Sequence, residues 1–234
     1  MNISIKRIQA IFLKDYKEFS RNYAISTMAL VPLVLAFFYR DLATTQMIFL
    51  PINMTFAMVT TYIQCCLIAE EKERNTLRGL LMSPASVADI LIGKSSLVFS
   101  ISAIIIALTV YLVGYEPANI VVLSLAIIVS IVFYIILGTI CGLFAKTIME
   151  AGVAVLPVMS VFSFGPTALI IADRYPILEL AQWLPSAQLL LLVDALEATA
   201  PIKEIAIPFV VIIVWMLIAT FAASILYKKR MTDE

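Results

Sequence analysis

The residues that could do chemistry are concentrated in one insert, Glu70–Lys94, which holds eight charged residues between two long uncharged runs. Within it, Gly93-Lys94-Ser95 matches the end of the phosphate-binding loop G-x-x-x-x-G-K-[ST], whose lysine and backbone amides hold nucleotide phosphates. The first glycine of that motif should stand at position 88, where this chain has Ala88, and no strand is predicted before it. We therefore expect no nucleotide to bind here.

The sequence also lacks the side chains that acid–base or metal catalysis would need. The chain contains no histidine, which removes the usual general base and the commonest metal ligand. Cys65, Cys66 and Cys141 fall in apolar runs without metal-binding spacing, so we expect them to pack as small apolar residues. The sequence predicts no catalytic residue, no metal site, no cofactor bound by this chain and no nucleic-acid partner. We do not expect the chain to be an enzyme on its own.

The composition predicts an all-α integral membrane protein. Apolar residues make up 62% of the chain and charged residues only 14%. Six segments contain no charged residue, and each is near the about 20 residues that a helix needs to cross hydrocarbon. In lipid, backbone polar groups must pair within the segment, so the segments are expected to be helices. The predicted spans within a single domain of residues 1–234 are about 23–39, 47–69, 97–115, 119–144, 151–172 and 206–227.

Lysine and arginine divide unequally between the two faces of the membrane. With six spans, both termini share one face with the 70–96 and 145–150 loops, and that face carries 13 of the 16 basic residues against 3 on the other. The 16 acidic residues divide 9 to 7. The positive-inside rule therefore predicts a multi-pass protein of the cell membrane with both termini in the cytoplasm. Residues 1–22, which mix apolar and charged side chains, are predicted to form an amphipathic helix at the interface.

Local signals divide the insert into two helices. The stretch from Glu70 to Met82 favours helix, with Glu70 and Arg74 spaced as an i,i+4 ion pair. The helix should end at Ser83-Pro84, because the residue before a proline avoids helical geometry. The second helix starts either there, with Pro84 in its first turn, or at the capping box Ser86-Val87-Ala88-Asp89. An ordinary solvated loop between two spans is the simpler alternative.

The insert contains a recognisable pattern, Glu71-x-Glu73-Arg74-x-Thr76-Leu77-Arg78-x-Leu80-Leu81-x-Ser83-Pro84, followed by Asp89-Ile90-Leu91-x-Gly93-Lys94. This pattern resembles the signature of ABC-2-type transporter permeases, in which it lies in the cytoplasmic loop between the second and third spans. Asn75 stands where the family often has glycine, and Arg78 stands where it often has glutamate. The resemblance extends to the length, the six spans, the cytoplasmic termini and the long outer segment before the last span.

The resemblance implies the permease subunit of an ABC exporter. Members of the family pair through their membrane domains, as two copies or with a second permease, and bind cytoplasmic ATPase subunits that hold ATP and Mg²⁺. Closure of those subunits is passed through coupling helices to the spans, which switch a central path between inward and outward access. The insert would be the first coupling element and the 145–150 turn the second. The coupling residues that follow are Glu70, Glu71, Glu73, Arg74, Thr76, Arg78, Ser83, Pro84, Asp89, Lys94, Lys146 and Glu150.

The substrate path is predicted from polar side chains in two spans. Asn53, Thr60 and Gln64 share one helical face, which should point at protein or water because an unpaired amide is costly in hydrocarbon. The resemblance places the second and fifth spans around the path. The residues expected from the fifth span, before a predicted helix break at Gly165-Pro166, are Pro157, Ser160, Ser163 and Phe164. An uncharged, moderately polar path suggests a hydrophobic or amphipathic cargo, such as a drug, a peptide or a lipid-like molecule. Hydrogen bonds between helices and a proline kink are the alternative.

Residues 173–205 precede the last span and contain two predicted short helices, 176–183 and 186–197, which are broken at Leu184-Pro185. Both are too short to cross the membrane, which favours a re-entrant or interfacial hairpin. In the resembled family such a pair caps the outer end of the path, so Trp183, Pro185 and Leu189 are expected to form an outer gate. A simple outer loop packed on the bundle is the alternative.

Two other classes of function remain open at this point. A stand-alone secondary transporter or channel usually carries ionisable residues at mid-membrane, and the predicted spans contain none. An intramembrane enzyme would need an acid–base or metal site, which the lack of histidine and of a carboxylate pair within the spans disfavours. Transport or catalysis by the purified chain without an added ATPase would favour these alternatives.

Overall fold

The computed structural model describes residues 4–40, 45–74, 86–172 and 174–233, and these residues are helical with no strand, as the composition predicted. Ten α-helices run along this part of the chain, together with one π-helical and two 3₁₀ segments. The α-helices are α1 (Ile5–Arg21), α2 (Tyr23–Met28), α3 (Val31–Tyr39), α4 (Thr45–Met54), α5 (Thr61–Glu73), α6 (Val87–Val113), α7 (Ile120–Phe144), α8 (Ile148–Ala168), α9 (Pro185–Glu197) and α10 (Ile202–Asp233).

Among the described residues, five helices are long and apolar enough to cross a membrane, or up to seven if each of two bent pairs counts as a span. The five are the continuous α4–α5 helix, α6, α7, α8 and α10, and each contains most of one predicted span. The α4–α5 helix is the most buried of the five and α10 the least. The bundle is therefore built around α4–α5.

The first predicted span, 23–39, departs from a regular α-helix. It consists of the short helices α2 and α3, and with α1 it forms one of the bent pairs. Pro32 lies in the first turn of α3, where its missing N–H group does no harm, whereas inside a longer helix it would remove a hydrogen bond. The helical hydrogen-bond pattern is interrupted at Ala29–Leu30, but both residues keep right-handed helical angles, so residues 25–39 form one helical segment that meets α1 at 87°.

The central α4–α5 helix widens into a π-helical turn at Thr55–Thr60. Pro51 lies inside α4 and cannot donate its own hydrogen bond, and the Thr55 hydroxyl donates to the Pro51 carbonyl over 2.9 Å. The Thr61 hydroxyl donates to the Phe56 carbonyl over 3.1 Å. Threonine side chains thus satisfy carbonyl oxygens that the irregular turn leaves exposed to the apolar interior. The sequence pattern did not predict this turn.

Helix α7 packs closely against α5 because two glycines face it at i,i+4 spacing. A Cβ atom at Gly138 would lie 2.5 Å from the Thr61 carbonyl oxygen, and one at Gly142 would lie 2.8 Å from the Ile68 Cβ. Small residues at this spacing let membrane helices approach until their backbones touch. On its other side α7 packs against α10, so it connects the buried centre of the bundle to its periphery.

The sequence predicted two helix breaks in the last third of the chain, of which the structure has one. The 3₁₀ segment Pro176–Trp183 meets α9 at a bend of 77° at Leu184–Pro185, which confirms the two short helices and the position of their break. The predicted break at Gly165-Pro166 was wrong, because α8 continues to Ala168 before a 3₁₀ turn at Leu169–Ile171. The proline lies near the end of α8, where it does not stop the helix.

Candidate functional site

Many ionisable side chains of the described residues converge at one end of the bundle, called here the charged end. It comprises α1, the last turn of α5, the first turns of α6 and the α7–α8 turn at residues 145–147. Helix α1 lies against α6, and a Cβ atom at Gly93 would come within 2.8 Å of the Ile11 Cγ2 atom. The absence of a side chain at Gly93 is therefore what lets α1 lie directly on α6.

A buried ionic cluster joins three helices at the charged end. The Lys94 ammonium group of α6 lies 3.2 Å from the Asp15 carboxylate of α1 and 3.0 Å from the Glu71 carboxylate of α5. Each of these three residues is at most 2% exposed. Lys94 also donates to the Leu67 carbonyl over 3.2 Å, so its three N–H groups have acceptors. A buried charge is tolerated only with such partners, which makes the cluster a fixed joint between α1, α5 and α6.

Lys14 completes the cluster from its half-buried rim. Its ammonium group pairs with Glu71 and lies 3.5 Å from both Asp15 and Glu18. Burial raises the pKa of the Asp15 carboxyl, and the nearby Lys94 and Lys14 charges oppose that rise. Partial burial acts to lower the pKa of Lys14, but its hydrogen bond to Glu71 and the surrounding carboxylates outweigh it and raise that pKa. Lys14 therefore stays charged, and two ammonium groups face the buried carboxylates.

The carboxylates of Asp15, Glu18 and Glu71 bring one oxygen each within 4.8 Å of one another, a spacing that a metal ion could use. The Lys14 ammonium group contacts all three carboxylates, and Lys94 contacts two of them. An ammonium group thus stands where a metal cation would bind. The arrangement is suited to holding helices together rather than to metal or acid–base chemistry.

A second set of contacts fixes the start of α1 to α6. The Asp89 carboxylate accepts hydrogen bonds from the Ser4 N–H group over 3.0 Å and the Ser86 N–H group over 2.9 Å. The Ser86 hydroxyl accepts from the Asp89 N–H group, so the predicted capping box starts α6 as expected. Arg7 of α1 lies 3.4 Å from the same carboxylate. One side chain therefore caps α6 and holds the beginning of α1.

The two predicted coupling elements contact each other through the end of α5. The Lys72 ammonium group donates to the carbonyl oxygens of Gly142, Leu143 and Ala145 over 3.1, 2.6 and 3.3 Å, which satisfies the exposed end of α7. The Glu73 carboxylate accepts from the Ile148 N–H group over 2.9 Å at the start of α8. These contacts, called here the α5–α8 joint, connect the central helix to the turn between α7 and α8.

The second coupling element is itself a capped turn. The Thr147 hydroxyl accepts from the Glu150 N–H group over 3.1 Å, and the Glu150 carboxylate accepts from the Lys146 N–H group over 2.7 Å. This reciprocal capping fixes the entry into α8. Lys146, Met149 and Glu150 remain exposed on its surface. The turn is therefore rigid but open to a partner.

The structure divides the predicted coupling residues into groups. Glu70, Glu71, Asp89 and Lys94 are buried within this chain, so they cannot be the exposed docking contacts that their charge suggested. Glu70 forms the predicted i,i+4 pair with Arg74 at 2.6 Å, and Arg74 itself is exposed. A role of these residues in coupling stays a prediction. The exposed members are Glu73, Arg74, Lys146 and Glu150. The remaining four, Thr76, Arg78, Ser83 and Pro84, lie outside the described residues, and so does the predicted helix break at Ser83-Pro84.

The predicted path residues face different surroundings. Asn53, Thr60 and Gln64 are buried; the Thr60 hydroxyl pairs with that of Ser102 at 2.7 Å, and the Gln64 amide donates to the Thr139 hydroxyl over 3.1 Å. These contacts match the alternative of hydrogen bonds between helices. On α8, Ser163 is buried, but the other three predicted path residues face outward. The path residues of α8 and those of the α4–α5 helix therefore do not line one common surface within this chain. Those outward-facing residues are Pro157, Ser160 and Phe164. Their place along a path stays a prediction.

The predicted gate residues lie where the bent pair meets α10. Pro185 and Leu189 are buried, whereas Trp183 is exposed and its carbonyl oxygen accepts a hydrogen bond from the Trp215 indole over 2.7 Å. Leu184 lies under α8, since a Cβ atom at Gly165 would come within 2.5 Å of its Cδ1 atom. The bent pair is thus fixed to both α8 and α10, and its function as a gate stays a prediction.

Sequence reasoning missed Asp15 and Lys72, which hold the charged end together. The prediction of an amphipathic helix over residues 1–22 did not single out Asp15, although it stands at helical spacing between Ile8, Phe12 and Phe19. A carboxylate within an apolar stripe is itself a signal for a buried ion pair. Lys72 gave no comparable signal, because its partners are backbone carbonyl oxygens of a helix 70 residues away.

Replacing Lys72 with methionine is expected to lower the free energy of unfolding by about 1.5–3 kcal/mol, the contribution of hydrogen bonds to a charged group. The cause is the loss of the contacts that cap the end of α7. Chemical unfolding of the purified protein in detergent measures the change. Lys146→Met is the matched control, because the Lys146 side chain is exposed. Equal stability of the two variants would show that the Lys72 cap contributes nothing.

A comparison with protein-family models matches residues 3–226 to a family described as "ABC-2 family transporter protein". The match therefore includes the charged end, the membrane helices and the bent pair. No curated protein matches the chain.

Proposed function

The chain belongs to the ABC-2 family of transporter proteins, and from this we propose that it is the permease subunit of an ATP-binding cassette exporter. In this proposal the ATPase is a separate cytoplasmic chain that holds ATP and Mg²⁺. The permease works as a pair, either with a second copy or with a related permease. It moves a hydrophobic or amphipathic cargo out across the cell membrane by alternating access.

The observation that supports this proposal most directly is the α5–α8 joint. Lys72 and Glu73 end the central, most buried helix, and both contact the α7–α8 turn that the family resemblance assigns to coupling. A displacement of that turn would therefore be transmitted to α5 through charged hydrogen bonds rather than through a slack loop. Such direct contact is what passing force from a partner to the membrane helices requires.

The charged end also presents a surface that suits a protein partner. Met149 is 85% exposed at the start of α8, although methionine is usually buried in a folded protein. Exposed charges lie at the same turn, because the Glu73 carboxylate accepts from the Ile148 N–H group and Lys146 stands three positions before Met149. An apolar centre with a charged rim favours docking, since the charges steer the partner and the apolar side chain packs against it.

In the proposed topology the chain has six spans, with α1 and both termini on the cytoplasmic side. The 13-to-3 division of basic residues supports this orientation. The ionic cluster of Asp15, Glu71 and Lys94 then lies at the cytoplasmic end of α5 and α6. It would hold the amphipathic α1 against the spans, so that α1, α5 and α6 move together when an ATPase subunit closes.

Purification of the full chain from its native membranes tests the proposal. We expect an ATPase subunit to co-purify, and a photoactivatable cross-linker on Met149→Cys to capture it. Lys203→Cys is the matched control, because Lys203 is exposed near the start of α10, outside the charged end. Capture from both positions alike, or transport by the chain in vesicles without any ATPase, would contradict the proposal and favour a stand-alone transporter or channel.

A further inference from the structure

A cavity of about 460 Å³ lies between the bent pair and α10. It is called here the α9–α10 cavity, and its volume is within the range of small-molecule sites. Its lining includes Trp183, Gln188, Leu191, Asp194, Glu204 and Ile207. The cavity thus combines an aromatic ring and aliphatic side chains with two carboxylates and an amide.

The charge of the α9–α10 cavity is negative. In the part of the chain that the structure describes, neither Asp194 nor Glu204 forms an ion pair, and Lys203 does not pair with its neighbour Glu204. The surrounding face is acidic as well, because the loops assigned to it by six spans carry 7 acidic and 3 basic residues. Burial and the charge of Glu197 raise the pKa of Asp194, and the attraction of a bound cation would oppose this rise by stabilising the carboxylate.

An unpaired acceptor inside the lining points to a missing ligand. Gln188 is only 4% exposed, and its Nε2 group donates to the Gln182 carbonyl over 2.6 Å. Its Oε1 atom is buried and has no hydrogen-bond partner among the described residues. A buried acceptor without a donor is costly, and a rotation of the Gln188 amide toward the cavity would let a ligand N–H group pair with it.

The apolar part of the lining selects the kind of cation. Trp183 contributes an indole ring, a group that attracts organic cations, and Leu191 and Ile207 contribute aliphatic surface. A small hydrated metal ion would leave this surface unused, whereas an ammonium or similar group on an apolar body would contact all of it. The negative charge and the apolar walls therefore favour one class of ligand.

We propose that the α9–α10 cavity binds a monovalent organic cation with an apolar body and, resting on the transport function proposed above, that such cations are the cargo class released at this end. The carboxylates of Asp194 and Glu204 supply the charge complement, Trp183 stacks on the cationic group, and Gln188 accepts a hydrogen bond where the cation carries an N–H group.

Tryptophan fluorescence tests the binding, because the chain has only two tryptophans and both are near the cavity. Trp183 lines it, and Trp215 donates to the Trp183 carbonyl over 2.7 Å. The probes are tetraphenylphosphonium and tetraphenylborate, which share four phenyl rings and differ in the sign of their charge. The full chain in phosphatidylcholine nanodiscs should show saturable quenching by tetraphenylphosphonium. Its affinity should exceed that for tetraphenylborate by about tenfold or more, as one favourable charge contact can give.

The double variant Asp194→Asn with Glu204→Gln should raise the Kd for tetraphenylphosphonium by about tenfold. Glu116→Gln is the control, since it removes a charge near the start of α7 without lining the cavity. Equal binding of the two probes, or unchanged binding in the double variant, would overturn the assignment.

The outcomes also separate this inference from the transport function. Binding is measured without ATPase, so a failure to bind alongside ATP-driven transport of another compound would remove only the cargo class. Binding of the cation by a chain that never associates with an ATPase would leave the cavity assigned and remove the transport function.

Discussion

Replacing Lys94 with methionine is expected to lower the free energy of unfolding by about 3–5 kcal/mol, the cost of leaving a buried charge without its partner. Asp15 and Glu71 are almost fully buried, and without Lys94 they retain only Lys14 at the rim of the cluster. Helix α1 should then detach from α6. Chemical unfolding in detergent gives the stability, and protease accessibility of α1 reports the detachment.

The matched control is Lys17→Met, which removes an exposed lysine from α1, the helix that the cluster holds against α6. A third variant, Asp15→Leu with Lys94→Met, removes one charge of each sign and should recover most of the lost stability, because paired apolar replacements of buried ions are often neutral. If Lys94→Met is as stable as Lys17→Met, the buried cluster does not hold α1 in place.

Replacing Gly138 with alanine is expected to cost about 1–3 kcal/mol, the usual range for overpacking a close interface. The added Cβ atom would lie 2.5 Å from the Thr61 carbonyl oxygen, and a backbone atom in a buried helix cannot rotate away. The two helices would have to separate, which also strains the hydrogen bond from Gln64 to Thr139. Unfolding in detergent measures this loss.

Gly152→Ala is the control for this substitution, because a Cβ atom there would meet only the Tyr62 ring at 3.9 Å. It should be neutral or stabilise the protein by up to about 1 kcal/mol, since alanine favours helix over glycine. A Gly138→Ala variant as stable as Gly152→Ala would mean that α5 and α7 do not pack as closely as their glycines indicate.

Features that depend on local chemistry could be predicted from the sequence. The apolar runs marked the long helices, Ser86 and Asp89 marked the start of α6, and Leu184-Pro185 marked the bend before α9. Each depends on neighbouring residues alone, through hydropathy, capping or the missing N–H group of proline. The local signal misled at Pro166, because a proline near the end of a helix does not have to stop it.

The position of the charged end could be predicted from the sequence, but the burial and the partners of its charged residues could not. Charge density indicated an exposed docking insert, yet Glu71 and Lys94 are turned inward by Asp15, a residue 79 positions before Lys94 in the chain. The burial of an ion pair depends on which helices meet, and spacing along one helix does not contain that information. The same holds for Thr60 and Gln64, whose partners Ser102 and Thr139 lie on α6 and α7.

A distance measurement across the end opposite the charged end tests the transport mechanism most directly. Spin labels at Tyr111 of α6 and Ile202 of α10, both more than 80% exposed, would be placed in a chain whose Cys65, Cys66 and Cys141 are replaced. With the co-purifying ATPase and Mg-ATP, we predict that the distance between the labels changes. Lys72→Met, which removes three of the four hydrogen bonds of the α5–α8 joint, should reduce that change while the ATPase remains bound. The same change without ATPase, or in the Lys72→Met variant, would contradict transmission of ATP-driven motion through the charged end.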